Sequence, residues 1–253
     1  MNKMKTLITL ALVSFFALHV NAQTKKPVVK KTTTTKTTVK KPTVKKTVKP
    51  IAKTAKEIKI PGTRVKVTTD SGVMIIRLYD KTPLHRDNFI KLANDHFFDS
   101  LLFHRVIQGF MIQGGDPQSK YAQPGQMLGM GDVGYTIPAE FDTSLFHKKG
   151  ALAAARTSNP AKASSGCQFY IVHGAKLSDV ELNMLEMRKG MKYSVKQRNI
   201  YKTIGGTGML DMDYTVFGEV ESGLNVIDKI ASVPKEPSDR PIGDVRMKIE
   251  VMK

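Results

Sequence analysis

The chain of 253 residues reads as a mostly β protein, an antiparallel barrel or sandwich. Three observations predict this. About eight short apolar or alternating runs are separated by Gly, Pro, Asn and Asp turn signals. Only two main helices stand among them, without the strand–helix alternation of a doubly wound parallel sheet. Where a run is long enough to show a period, as in Val245 to Met252, the period is two.

Met1 to Ala22 has the pattern of an export signal. Lys3 and Lys5 supply the positive start, and Leu7 to Leu18 an apolar core short for a membrane span. Cleavage after Ala22 would make Gln23 the first mature residue, with no cysteine there to carry a lipid, so a periplasmic or secreted protein is expected. Residues 23–59 are a Lys/Thr/Pro-rich linker with thirteen lysines and one acid, Glu57. Such a segment has no apolar period and cannot bury enough surface to offset the entropy of ordering, so it is expected to be disordered. It reads either as a solvated spacer or as a tether to an anionic envelope surface. It carries about +12 of the formal net charge of +18. The high isoelectric point is thus a property of the tail, and a specific nucleic-acid partner is not implied. The single cysteine, Cys167, excludes an internal disulfide and sits in an apolar run, as a small buried thiol would.

The folded region is expected over 60–253. Arg64 to Thr69 and Val73 to Tyr79 read as a hairpin around Thr69–Gly72. Thr82 and Pro83 open a helix, Thr82 as N-cap and Pro83 at the first helical position, with Leu84, Phe89, Ile90, Leu92 and Ala93 on its buried face. Phe110 to Gln113 alternates as a strand until Gly114 and Gly115 break it. A Gly/Pro-rich loop runs to Gly134. It contains a literal GxGxxG, Gly129 to Gly134, but Tyr135 to Pro138 cannot start the helix that a dinucleotide site needs, so the glycines read as loop geometry. Gly150 to Arg156 and Gln168 to Val172 are strands flanking a polar loop. Residues 178–204 are helical in character. Ser178 and Glu181 form a capping box, Gly190 ends that helix, and 191–204 continues less regularly. Tyr214 to Val220 is a strand, Leu224 to Ile230 a helix, and Val245 to Met252 the last strand.

Chemistry is narrowed by what the motifs lack. There is no Gly-x-Ser-x-Gly, and no histidine reads as paired to a serine or to Cys167. His85, His96, His104, His147 and His173 are scattered, without metal-ligand spacing. The informative stretch is Phe103 to Pro117. It sets Arg105, which cannot lose its proton, and Gln113 among Val106, Ile107, Phe110, Met111 and Ile112. Such an arginine needs an electron-rich partner, either an acid elsewhere in the fold or something bound.

Phe103 to Asp116 resembles the signature of cyclophilin-type peptidyl-prolyl isomerases, interrupted mainly by Gln108 where the family usually has proline. The resemblance extends over about Val65 to Val251, with Asn88 to Leu92, Gly166 to Ile171 and Thr215 to Val220 in the family's order. It implies a closed eight-stranded antiparallel β-barrel capped by two helices, here with an inserted helical segment over 178–204. It also implies rotation of X-Pro bonds without metal or organic cofactor, on proline-containing peptides and unfolded exported proteins, by a monomer. Carried over residue by residue, Arg105 and Gln113 are the catalytic pair. Phe110, Met111, Ala155 and Leu210 match the substrate site. Arg156 stands where asparagine is common, Tyr170 replaces a phenylalanine, Tyr214 a histidine, and Met209 the tryptophan of many members. The alternative is a proline-binding or chaperone module with weak catalysis, which the Met209 and Tyr214 departures would favour.

Overall fold

The hairpin opens the folded region as expected: β1 (Arg64–Thr69) pairs antiparallel with β2 (Gly72–Leu78). The computed structural model describes residues 62–252; the expected export signal and the basic linker lie outside them. Helix α1 (Pro83–Asn94) follows. Thr82 is at its N-cap position, yet its hydroxyl makes no cap bond. The first turn is closed instead by Glu140, whose carboxylate accepts from Leu84 N at 3.0 Å and His85 N at 2.9 Å. The buried stripe of α1 is His85, Phe89, Leu92 and Ala93; Leu84 lies about 100° round the helix from His85 and is 50% exposed, against its expected place on the buried face.

Strands β3 (Phe103–Ile107) and β4 (Met111–Gly114) form a second hairpin. The polar stretches then supply a two-stranded ribbon, β5 (Thr136–Ile137) with β7 (Ser164–Ser165). Between these lies β6 (Ala151–Ala154), and β8 (Phe169–Val172) follows. The inserted segment is two helices, α2 (Asp179–Lys189) and α3 (Val195–Thr203). Ser178 and Glu181 form the capping box read from the sequence, and Gly190 ends α2 in the left-handed conformation. The second stretch is more regular than expected, because Ser194 and Gln197 make another capping box. Strand β9 (Val216–Ser222), helix α4 (Leu224–Ala231) and strand β10 (Met247–Val251) complete the chain.

Eight strands form one antiparallel sheet in the order β10-β1-β2-β9-β6-β8-β4-β3. The expected closed barrel is met in its coarser form, a curled eight-stranded sheet. Its edges, β3 and β10, share no ladder. They are linked just before each strand by the isolated bridge Leu102–Arg246 and by three hydrogen bonds: Phe103 N to Val245 O, Met247 N to Leu101 O, and Ser100 N to Met247 O, at 2.9, 2.8 and 2.9 Å.

Alternation sorts the side chains into two apolar layers. Ile112, Phe169, Ile171, Leu152, Ala154 and Phe217 face the interior with Phe89, Phe98 and the α4 residues Val226, Ile227 and Ile230. Phe89 meets Phe98 and Phe169 at ring-centroid distances of 4.8 and 5.4 Å. Their alternates, Met111, Tyr170, Val172, Ala151, Ala153 and Val216, make a second cluster on the other face. A third cluster, Leu182, Tyr193 and Tyr201, holds the insertion together with Phe146.

Candidate active site

The second face of the sheet carries the candidate site. Between Phe103 and Arg105 the β3–β4 register shifts. Such an irregularity re-aims side chains: Phe103 and Val106 both enter the interior core, while Arg105 lies opposite Gln113 and Ile107 opposite Met111. Cross-strand partners share a face, so one row runs Arg105, Gln113, Tyr170, Ala153 and Val216 across five strands. At the end of β4, Gly115 has φ +90, and a Cβ there would come within 2.2 Å of the Cys167 carbonyl oxygen. Only glycine lets the chain turn this close to β8.

Arg105 is not held by a buried acid. Its nearest carboxylate is Asp239, with Nε 3.9 Å from Oδ2, and its side chain is 43% exposed. Asp239 is itself held by Lys235 Nζ at 2.6 Å. The guanidinium therefore keeps its donors available. Neighbouring His104 is 4% exposed, and neither ring nitrogen has a partner. Burial chiefly, with the Arg105 and Arg240 charges adding and Asp116 opposing, lowers its pKa to about 4.

Gln113 is oriented by Gln168, whose part the sequence did not reveal. Gln168 Nε2 donates to the carbonyls of Gly129 and Gly131 at 3.0 and 2.7 Å. Its Oε1 must therefore be the acceptor, and it takes Gln113 Nε2 at 3.0 Å. That leaves the Gln113 Oε1 to accept from outside the protein. The GxGxxG loop is thereby explained as geometry. Gly129 N donates to buried Asp116, and a Cβ at Gly131 would meet Asp116 Oδ1 at 2.1 Å. Two hollows flank Gln113. One of about 290 Å³ includes Arg105 and His104. The other, of about 410 Å³, includes Ala155, Arg156 and Gln168.

Phe110, Met111, Tyr170, Ala155, Leu210 and Tyr214 come together in one apolar cluster. Two of the departures form a pair: the Arg156 guanidinium lies over the Tyr214 ring, 4.6 Å from its centroid, while Arg156 Nε donates to Asp213 O at 2.9 Å. Tyr214 in turn meets Tyr170 edge-on at 6.0 Å. Tyr170 is 4% exposed, so it forms the floor of the cluster and not an open wall. Met209, 52% exposed, borders the hollow that holds Leu210 and Tyr214.

The floor is supported from below. Tyr170 OH donates to His147 Nε2 at 2.9 Å, and His147 Nδ1–H donates to Asp211 Oδ1 at 2.7 Å. Asp211 Oδ2 accepts from Tyr193 OH at 2.8 Å and Tyr201 OH at 2.6 Å. Burial alone would raise the Asp211 pKa; the donors from His147 and Tyr201 outweigh it and hold the carboxyl below its ordinary value. Burial first, then the Asp211 charge, push Tyr193 and Tyr201 upward, so both stay protonated donors. Gly206 lets the insertion dock, since a Cβ there would come within 2.2 Å of His147 O and 2.5 Å of the Tyr201 ring.

One exclusion drawn from the sequence is corrected. A histidine is paired to a serine: His85 Nε2 lies 3.0 Å from Ser164 Oγ, and His85 Nδ1 lies 2.7 Å from Glu140 Oε2. Ser164 is 1% exposed and His85 2% exposed, so no substrate reaches this trio. The pairing was hidden because its members are brought together by the fold and not by a motif. Cys167 is buried, and burial pushes its thiol up to about 11. Among the described residues no group of three or more His, Cys, Asp or Glu could hold a metal ion, and no helix is long and apolar enough to cross a membrane.

Residues 64–251 match the family described as cyclophilin type peptidyl-prolyl cis-trans isomerase/CLD. A protein of Staphylococcus aureus (strain USA300), named as a candidate peptidyl-prolyl cis-trans isomerase, is 33% identical over 191 residues, 75% of this chain and 91% of that one. A Streptococcus pyogenes protein, named as a candidate bifunctional phosphatase/peptidyl-prolyl cis-trans isomerase, is 33% identical over 201 residues, 75% of this chain and 40% of that one. The crystal structure of a Cryptosporidium parvum cyclophilin-type isomerase has a TM-score of 0.58 at 21% identity, covering 76% of this chain and 99% of the other. The same parasite protein in the presence of the dipeptide Ala-Pro gives 0.54 at 21% identity, covering 75% and 99%.

Proposed function

The chain belongs to the cyclophilin-type peptidyl-prolyl cis-trans isomerase family and is an isomerase of that type, and from this premise we propose that the Arg105–Gln113 row and the apolar cluster beside it are its catalytic surface. The observation that carries the assignment is the half-exposed Arg105, 3.9 Å from its nearest carboxylate and paired across the hairpin with Gln113. The related parasite enzyme studied with Ala-Pro supports proline-containing peptides as the substrate.

An X-Pro bond resists rotation by roughly 18–20 kcal/mol because the nitrogen lone pair is delocalised into the carbonyl, and exchange unaided takes tens of seconds. In the twisted state the lone pair is localised on nitrogen and can accept a hydrogen bond. Arg105 supplies a permanently charged, planar donor for it. Every ~1.4 kcal/mol that it gives to the twisted state over the planar one is tenfold in rate. Gln113 Oε1 takes a substrate N–H, and Phe110, Met111 and Leu210 seat the proline ring over the Tyr170 floor. Ala155, Arg156, Met209 and Tyr214 border the bound chain. No proton and no covalent bond is exchanged.

The Arg105→Ala protein, checked for native circular dichroism, is expected to isomerise an Ala-Pro peptide roughly 100-fold or more slowly, the size found when one preorganised donor is removed. An unchanged rate in the folded variant overturns the assignment.

The leader and the basic linker support a role in folding exported proteins, with the linker held to an anionic envelope surface by a salt-sensitive attraction. Protein from the periplasmic or culture fraction is expected to begin at Gln23 and to leave anionic vesicles as salt is raised. A cytosolic chain that keeps Met1 overturns this reading.

A further inference from the structure

Beside the proline face lies a groove of about 640 Å³, lined by Phe110, Leu177, Met184, Leu185, Met187 and Met209. Its methionines are open to solvent: Met184 is 54% exposed, Met187 81% and Met209 52%. Two elements build it. On one side, α2 is anchored by its opposite flank, where buried Leu182 packs with Tyr193 and Tyr201, so the methionine flank is held in place and left bare. The floor on the other side is tied down at Phe110, whose carbonyl accepts from His173 N at 3.1 Å, Gly174 N at 3.0 Å and Thr207 Oγ1 at 3.4 Å. The one acid in the lining, Glu181, is already engaged by Ser178 N and Oγ at 2.7 Å each. What remains for a ligand is the exposed Arg188 guanidinium, which also lines the hollow of Leu210 and Tyr214, and an apolar, adaptable surface, since thioether side chains are unbranched and polarizable.

We propose that this groove is a second substrate site, which takes a large apolar side chain of the same unfolded polypeptide within a few residues of the target proline. The occupant follows from continuity. Phe110 belongs both to the groove and to the cluster with Met111 and Leu210. Met209 borders both the groove and the hollow holding Leu210 and Tyr214. A chain whose proline sits on that cluster and which leaves past Met209 must cross the groove. The soft methionine rim fits many apolar side chains in place of one, as suits an enzyme acting on unfolded chains. The proposal rests on the assignment of the proline site to the Arg105–Leu210 face.

The test uses the full-length protein and two kinds of substrate: an Ala-Pro tetrapeptide, and longer Ala-Pro peptides carrying Leu or Ser at each position up to three residues from the proline. The native enzyme is expected to prefer one Leu peptide to its Ser counterpart by about tenfold in kcat/KM, the order expected for partly burying one large apolar side chain. Replacing the two exposed methionines of α2, Met184→Gln with Met187→Gln, is expected to remove that preference and to leave the tetrapeptide rate within about twofold. An equal preference in native and double-variant enzyme overturns the proposal, as does a native enzyme with none. So does a double variant that changes oligomeric state while keeping the preference, because the groove would then be a contact between copies. Equilibrium binding of the Leu and Ser peptides to Arg105→Ala separates this inference from the one beneath it. A retained Leu preference there supports the groove whatever becomes of the rate, whereas an unchanged rate with no Leu preference overturns both.

Discussion

Two buried trios in this molecule have nearly the same parts. In one, His85 Nδ1 lies 2.7 Å from Glu140 and Nε2 lies 3.0 Å from the Ser164 hydroxyl. In the other, His147 Nδ1 lies 2.7 Å from Asp211 and Nε2 lies 2.9 Å from the Tyr170 hydroxyl. In both, the carboxylate also accepts the backbone N–H of its own histidine, at 2.9 Å from His85 and 2.8 Å from His147. The difference is what lies at the two ends. Glu140 spends its other oxygen on Leu84 N, and Ser164 belongs to the β5–β7 ribbon. That trio fastens the start of α1 to the ribbon, and its histidine and serine are themselves closed to solvent. Asp211 spends its other oxygen on Tyr193 and Tyr201 of the insertion, and Tyr170 is the floor of the apolar cluster. That trio joins the insertion to the proposed substrate face. Closely similar chemistry is a staple in one place and a support for the proposed site in the other, so location decides the role.

Removing each acid separates the roles, and the larger effect belongs to the second trio. Asp211→Ala leaves a buried imidazole and two buried hydroxyls without their acceptor, at a cost of about 3–5 kcal/mol, as for other buried pairs that lose one partner. Urea unfolding reads that loss. Isomerisation of the peptides should also weaken, because the Tyr170 floor and the α2 side of the groove lose their common anchor. Glu140→Ala uncaps α1 and orphans His85, a cost of about 1–3 kcal/mol, with kcat/KM on the tetrapeptide within about twofold of native. If both variants lower stability and neither changes kcat/KM, Asp211 is only a staple and the contrast between the trios is lost.

What could be read from the sequence was what is local. The β1–β2 hairpin, the Ser178–Glu181 box and the Gly190 terminus depend on residues within a few positions of each other, and each stands as expected. The Ser194–Gln197 box was equally local. It went unread because the lysine- and arginine-rich run around it hides any apolar period. Thr82 does stand at the N-cap position of α1, but the acceptor that closes the first turn, Glu140, is out of reach of a local reading because it lies 55 positions from His85. The same limit applies at the site. The Arg105, Gln113 and Met111 face was legible through the motif, whereas the Gln168–Gln113 bond spans 55 positions and the Asp211–His147 bond 64. Tyr214 and Arg156 read as separate departures in the sequence; only the fold reveals that one lies over the other.

The smallest expected effect is the most discriminating. Tyr170→Phe keeps the ring that floors the cluster and removes only the hydroxyl that donates to His147. The buried imidazole loses one partner, a cost of about 1 kcal/mol, and kcat/KM should stay within about twofold because in the proposed site the proline meets the ring and not the oxygen. The informative measurement is the double-mutant cycle with Tyr201→Phe. Tyr201 is on α3 and donates to Asp211 at 2.6 Å, so the two hydroxyls never touch and communicate only through His147 and Asp211. Independent sites add to within about 0.5 kcal/mol, and members of one network do not. A coupling above that value in urea unfolding means that the hydroxyl under the substrate face and the hydroxyl in the insertion are parts of one network. Additivity would mean that the second trio, like the first, ends where its own hydrogen bonds end.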